Sequence, residues 1–192
     1  MQKFKIDNQR IFSNFGNSSM GYALPSAIGA AIGTGNRVIC IDGDGGFQMN
    51  IQELQTVKNY NLPIKIIIIN GCYGIIKQFQ DAYCESRYIA TDGQKDYTLP
   101  DFERVAKAYG IESVTIEGKK DIDKKLNYVM SYEGPILCNI KIDPTQKLIP
   151  KLEFGNPLED MYPYLTDKQI SDNMVIKTIK RRDNTQGWVN LK

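Results

Sequence analysis

The chain has 192 residues, a net charge of +2 from 24 basic and 22 acidic side chains, and no histidine. That length suits one α/β domain with a sizeable core, and the mixed charge gives no reason to propose nucleic acid as a partner. The lack of histidine excludes Ser-His-Asp and Cys-His mechanisms and most zinc sites.

Residues 1–15 read as a leader, and Met1–Lys5 lacks the apolar core of a signal peptide. Gly16-Asn17-Ser18-Ser19 is a turn. A small-residue helix follows from about Gly21 to Ile32, where Ala23, Ala27, Ala30 and Ala31 permit close packing, and Gly33-Thr34-Gly35-Asn36 ends it. Val38–Ile41 is a β-branched run that stops in a Gly-Asp-Gly-Gly turn, the pattern of a buried parallel strand. Ile51, Leu54 and Val57, with Tyr60 as a further candidate, recur at helical spacing, and a second apolar run, Ile64–Ile69, ends in Asn70. Gly74–Gln80 predicts another helix, and residues 84–98 a polar, irregular loop over the rim. Thr98-Leu99-Pro100-Asp101 starts a helix that Gly110 stops. A strand near Ser113–Ile116, a helix near Ile122–Tyr132 and a strand Ile136–Ile142 complete the alternation. The fold class expected is α/β, a doubly wound parallel sheet with helices on both faces. The domain proper covers 16–145. Residues 146–192, with few periodic apolar positions, form a tail that wraps the domain or a neighbouring subunit, and its Lys177, Lys180, Arg181 and Arg182 read as a solvated cluster rather than a phosphate patch.

No apolar run reaches membrane-spanning length, so no membrane is expected. The four cysteines, Cys40, Cys72, Cys84 and Cys138, form no CxxC pair. Cys40 and Cys138 fall in predicted strands as small buried hydrophobes, and a reduced, cytoplasmic protein is the expectation.

Chemistry concentrates in the β-turn-α-β unit from Cys40 to Gly74. Its two strand ends bring Asp44 and Asn70 to one rim, where open α/β sheets bind ligands. Gly45 and Gly46 let backbone N–H groups approach a phosphate. An Asp oxygen, an Asn oxygen, a loop carbonyl and two phosphate oxygens would make an octahedral Mg²⁺ shell, completed by water. The turn lacks the third glycine of the dinucleotide fingerprint, and no Gly-Lys-Ser/Thr forms a P-loop.

Gly43-Asp44-Gly45 followed by Asn70 resembles the thiamine diphosphate motif. The wider text, Gly-Asp-Gly-Gly-Phe-Gln-Met-Asn-Ile-Gln-Glu-Leu-Gln-Thr and Asn-Leu-Pro-Ile-Lys, is similar to acetolactate synthase catalytic subunits, as are Ser19–Ala30, Pro100-Asp101-Phe102 and Ala106–Gly110. The resemblance covers roughly residues 10–165, and the chain looks like the pyrophosphate-binding domain of such an enzyme. It implies thiamine diphosphate and Mg²⁺ as cofactors, with the metal on Asp44, Asn70 and the Cys72 carbonyl and the diphosphate on Gly45 and Gly46. It also implies Ser18 and Met20 beside the aminopyrimidine. Met20 would be the wedge that bends the cofactor; by composition alone it reads as a core methionine. Ile76 and Phe79 would shape the acceptor pocket, with Phe79 where the family often has tryptophan; Phe79 also reads as a plain core aromatic.

The resemblance also says what this sequence does not carry. The glutamate that protonates the aminopyrimidine belongs to another, pyrimidine-binding domain, the flavin (FAD) site lies in further domains, and the first strand and helix of this domain are not recognisable. No catalytic residue is therefore assigned within the chain. The family usually has two adjacent asparagines, whereas Asn70 precedes Gly71. Aligning on Tyr73-Gly74 makes Asn70 the metal residue and shortens the apolar run by one; aligning without a gap would put Gly71 there. The implied activity is decarboxylation of pyruvate or a related 2-oxo acid and transfer of the two-carbon unit to an acceptor. Decarboxylation alone, with a partner chain, or a truncated binding module without catalysis are the alternatives. Since such sites form between two chains, a homo-oligomer is implied.

Overall fold

The computed structural model describes residues 9–93 and 95–179. The first eight residues of the expected leader, and Lys180, Arg181 and Arg182 of the basic cluster, lie outside them. The chain divides into two compact units, Met1–Gln146 and Lys147–Lys192.

The first unit is built on four strands, β1 (Val38–Gly43), β2 (Ile64–Asn70), β3 (Glu112–Ile116) and β4 (Ile136–Lys141), in the order β1-β2-β4-β3, all neighbours parallel. Period-two alternation sorts their side chains. Cys40, Ile64, Ile66, Ile68 and Leu137 face one helical layer: α1 (Ala23–Thr34), α2 (Asp44–Gln48), α3 (Leu54–Asn59) and α5 (Phe102–Ala108). Ile116, Ile136 and Cys138 face α6 (Ile122–Ser131) on the other side. Helices thus cover both faces, as the alternation predicts. The second layer is narrower, and it leaves Ile39 and Ile41 of edge strand β1 exposed.

Local chemistry explains the boundaries. In α1, Leu24, Ala27, Ile28 and Ala31 form the buried stripe, and Gly35, at φ +67°, closes the helix with its N–H on the Ala31 carbonyl. Asp101 caps α5, accepting N–H bonds from Glu103 and Arg104 at 3.1 Å each. Phe47 of α2 and Phe102 of α5 meet edge-on at 5.7 Å in the core. Lys65, 1% exposed in β2, carries a charge into this largely apolar interior, and its Nζ donates to the Tyr132 and Gly134 carbonyls beyond α6, the latter at 2.7 Å.

Two expectations need correcting. The Gly-Asp-Gly-Gly segment is not a simple turn: Gly43 is the last extended residue, and α2 begins directly on Asp44. The amphipathic helix after it is divided into a 3-10 turn, Ile51–Glu53, and the short α3. Tyr60 lies beyond its end and is 70% exposed, because the chain reverses at Asn61 and Leu62 N–H bonds back to Val57.

The helix after β2 is α4 (Gly74–Tyr83), which has no buried side chain. In the second unit, Lys151 and Tyr162 form an antiparallel bridge, and α7 (Asp167–Asn173) opens with a Thr166–Gln169 capping box. No helix among the described residues is long and apolar enough to cross a membrane.

Candidate cofactor and metal site

The register pairs Gly43 with Ile69, so Asp44 and Asn70 follow one residue later at neighbouring strand ends. Asp44 is 3% exposed and its carboxylate is fully engaged with the turn after β2. Oδ2 accepts N–H bonds from Gly71 at 2.8 Å and Cys72 at 2.6 Å, and Oδ1 accepts from Tyr73 at 3.1 Å. Three successive N–H groups aimed at one anion require an unusual backbone. Cys72 and Tyr73 both adopt left-handed conformations, φ +56° and +53°, at roughly 1–2 kcal/mol each for non-glycine residues. Charge-assisted bonds of about 1.5–3 kcal/mol offset that cost.

Gly45 and Gly46 have a packing reason for their identity besides close approach to a phosphate. A Cβ on Gly45 would stand 2.2 Å from Tyr73 Cε1, and one on Gly46 would stand 2.3 Å from Asp42 Oδ1. Asp42 Oδ1 accepts the Gly43 N–H at 2.8 Å, while its buried Oδ2 has no partner among the described residues. Burial, and secondarily the Asp44 charge, push the Asp42 carboxyl above the usual aspartate range; the Gly43 bond works the other way.

Asn70 takes a different direction. Its Nδ2 donates to Asn139 Oδ1 at 3.1 Å, and Asn139 reaches Thr115 at 3.4 Å, a polar ladder across β2, β4 and β3. This ladder lines a cleft of about 580 Å³ that takes in Asn70, Cys72, Asp101 and Lys141 but not Asp44. With Nδ2 held by Asn139, the amide oxygen is the atom of Asn70 able to meet a cation.

Ser18 lies in the turn before α1 with φ +47°. Met20 is 40% exposed, not a core methionine, and the next carbonyl, Gly21 O, accepts Asn50 Nδ2 at 2.6 Å, which ties this segment to the end of α2. Ile76 is exposed on α4, and Phe79 is half-buried with its ring 5.6 Å from Tyr83. The fold therefore brings Asp44, Gly45, Gly46 and Cys72 into contact range, links the Met20 segment to the same helix, and sets Ile76 and Phe79 apart on α4. Sequence reasoning missed Gln48 and Tyr97. Gln48 Nε2 donates both to the Asp44 carbonyl at 3.1 Å and to Tyr97 Oη at 2.8 Å. The spacing of Gln48 from Asp44, one helical turn, was readable once α2 was known; nothing in the sequence marks Tyr97.

No group of three or more His, Cys, Asp or Glu side chains that could hold a metal occurs among the described residues. A cation here would instead take one carboxylate, one amide oxygen and one backbone carbonyl, hard oxygen donors of the kind Mg²⁺ accepts. The orphaned Asp42 oxygen and the Asp44 charge beside it make the rim favourable to a cation. On these grounds the residues fit a metal-bridged diphosphate.

A parallel sheet with polar groups gathered at its carboxyl edge defines an α/β domain of the ligand-binding kind. The family described as thiamine pyrophosphate enzyme, C-terminal TPP binding domain, matches residues 1–140, and the chain belongs to it. It is 36% identical over 156 residues to the acetolactate synthase large subunit of Porphyra purpurea, covering 80% of this chain and 26% of that protein. It is 37% identical over 162 residues to the large subunit of Cyanidium caldarium, covering 83% and 27%. Against acetolactate synthase isozyme 2 large subunit of Escherichia coli (strain K12) it is 34% identical over 160 residues, covering 82% and 29%. The chain thus spans about a quarter of the length of the curated relatives it matches.

Proposed function

We propose that this chain supplies the diphosphate- and metal-binding half of an acetolactate synthase-like active site, which decarboxylates pyruvate or a related 2-oxo acid and transfers the two-carbon unit to an acceptor. The observation that supports the reading is the clamp of the Asp44 carboxylate on the backbone N–H groups of Gly71, Cys72 and Tyr73, which ties the start of α2 to the turn after β2 at the rim. In this reading Asp44, the Asn70 amide oxygen and the Cys72 carbonyl hold Mg²⁺, and first-turn N–H groups at Gly45 and Gly46 meet the diphosphate. Ser18 and Met20 flank the aminopyrimidine, with Met20 bending it. Ile76 and Phe79 shape the acceptor pocket. Bound thiamine diphosphate supplies the electron sink for loss of carbon dioxide, and the protein orients it and excludes water. The proton donor to the aminopyrimidine is a glutamate of a pyrimidine-binding domain outside this sequence, met in a homo-oligomeric, cytoplasmic assembly. The domain covers residues 16–145.

Calorimetric titration of thiamine diphosphate, with and without Mg²⁺ and with the glutamate-bearing domain supplied, tests this. Metal-dependent binding that Asn70→Ala abolishes is expected. Unchanged affinity in that variant would overturn the assignment of Asn70, and no binding by the assembled protein would overturn the cofactor reading. Acetolactate rather than acetaldehyde from pyruvate would separate ligation from simple decarboxylation.

A further inference from the structure

Asp44 sits in a closed ring of contacts. Gln48 Nε2 bridges the Asp44 carbonyl and Tyr97 Oη at 3.1 and 2.8 Å. The Tyr97 ring meets Tyr73 edge-on with centroids 4.7 Å apart, and the Tyr73 N–H returns to Asp44 Oδ1 at 3.1 Å. The Tyr73 ring also lies against Gly45, closely enough that no Cβ fits between them. Tyr73 and Cys72 are consecutive residues in the left-handed region, so the backbone needs holding here. The loop that carries Tyr97 touches the turn a second time: Cys72 Sγ donates to the Thr91 carbonyl at 3.6 Å, and Thr91 Oγ1 is bonded to Gln80 at 2.5 Å. Burial pushes the Tyr97 phenol up to about 12, so its oxygen stays neutral and accepts from the Gln48 amide.

We propose that Gln48 and Tyr97 are positioning residues that hold the Cys72–Tyr73 turn, and through it the Cys72 carbonyl and the Asp44 carboxylate, in place for a divalent cation before cation or cofactor arrives. The proposal rests on the metal-site reading above. A turn ordered in advance spares binding the cost of ordering it. Removing either residue should therefore weaken metal binding without changing the ligands themselves.

The test uses the full chain carrying Cys84→Ser, since Cys40 and Cys138 are 3% and 0% exposed and Cys72 then becomes the accessible thiol. In this background Tyr97→Phe removes the hydroxyl but keeps the ring, and Gln48→Leu removes the bridging amide. Without cofactor, amide exchange at Gly71, Cys72 and Tyr73 by NMR and the rate of Cys72 alkylation should each rise roughly three- to tenfold, the loss of one hydrogen bond. With thiamine diphosphate and the glutamate-bearing domain present, the Mg²⁺ concentration for half-saturation should rise by a similar factor while excess Mg²⁺ restores full cofactor binding, which a merely structural role would not give. Unchanged exchange and alkylation in both variants, or a loosened turn with unchanged Mg²⁺ dependence, would overturn the proposal. Failure of the unmutated chain to bind Mg²⁺ and cofactor at all would overturn the metal-site reading, while faster exchange in the variants would still support the hold of Gln48 and Tyr97 on the turn.

Discussion

At the scale of single residues, two carboxylates separated by one glycine have opposite circumstances. Asp44 is answered by three N–H groups, whereas Asp42 keeps one buried oxygen without a partner among the described residues. Because burial raises the Asp42 carboxyl in the folded chain, the folded state holds its proton to higher pH than the unfolded state does. Stability therefore falls as pH rises from the ordinary aspartate range through the raised value, and the loss persists at neutral pH. Asp42→Asn should remove that decline, so urea unfolding should show the variant gaining stability relative to the parent at pH 7 but not at pH 4. Gly45→Ala should act in the other direction. Its methyl would meet the Tyr73 ring, so the ring or α2 must move, and a loss of about 1–3 kcal/mol in the same assay is expected. The glycine pair and Asp44 stood out in the sequence as candidates to hold a phosphate and a metal. That these glycines also make room for Tyr73 and Asp42 was not, because such contacts depend on three-dimensional packing between β1, α2 and the turn after β2.

At the scale of elements, Asp101 and Lys65 show how the chain fixes helix ends. Asp101→Ala removes the cap of α5 and should cost roughly 0.5–2 kcal/mol, measured as a lower thermal midpoint. Lys65→Met is the harder case. Burial lowers the Lys65 pKa, a sign that its charge is costly there, yet its Nζ satisfies two carbonyls beyond α6. Leaving two part-buried acceptors without a donor outweighs the relief of removing one charge, and a loss of about 1–3 kcal/mol by chemical denaturation is expected. Strands and most helices were readable because β-branched runs and helical spacing reflect which side is buried. The boundaries that moved are set by hydrogen bonds that periodicity does not encode: the Asp44 carboxylate at the start of α2 is held by the turn after β2, and α3 ends before Tyr60 where the Leu62 N–H returns to Val57. The charged interior position of Lys65 was hidden for the same reason, since its partners are 67 and 69 residues away.

At the scale of the whole molecule, the family and the fold were legible from blocks of residues spread along the chain, and the direction of Asn70 was not. Its bond to Asn139 depends on β4 being inserted between β2 and β3, a crossover no local pattern announces. One feature of that topology reaches beyond the binding site. Strand β1 stands at the end of the sheet with unpaired backbone on its outer side among the described residues, and Ile39 and Ile41 beside it are 47% and 62% exposed. An open edge flanked by bare isoleucines is adhesive. Handled as this chain alone, the protein should therefore precipitate in a concentration-dependent way, and a lysine at position 41 should be a more effective solubility aid than any change of buffer.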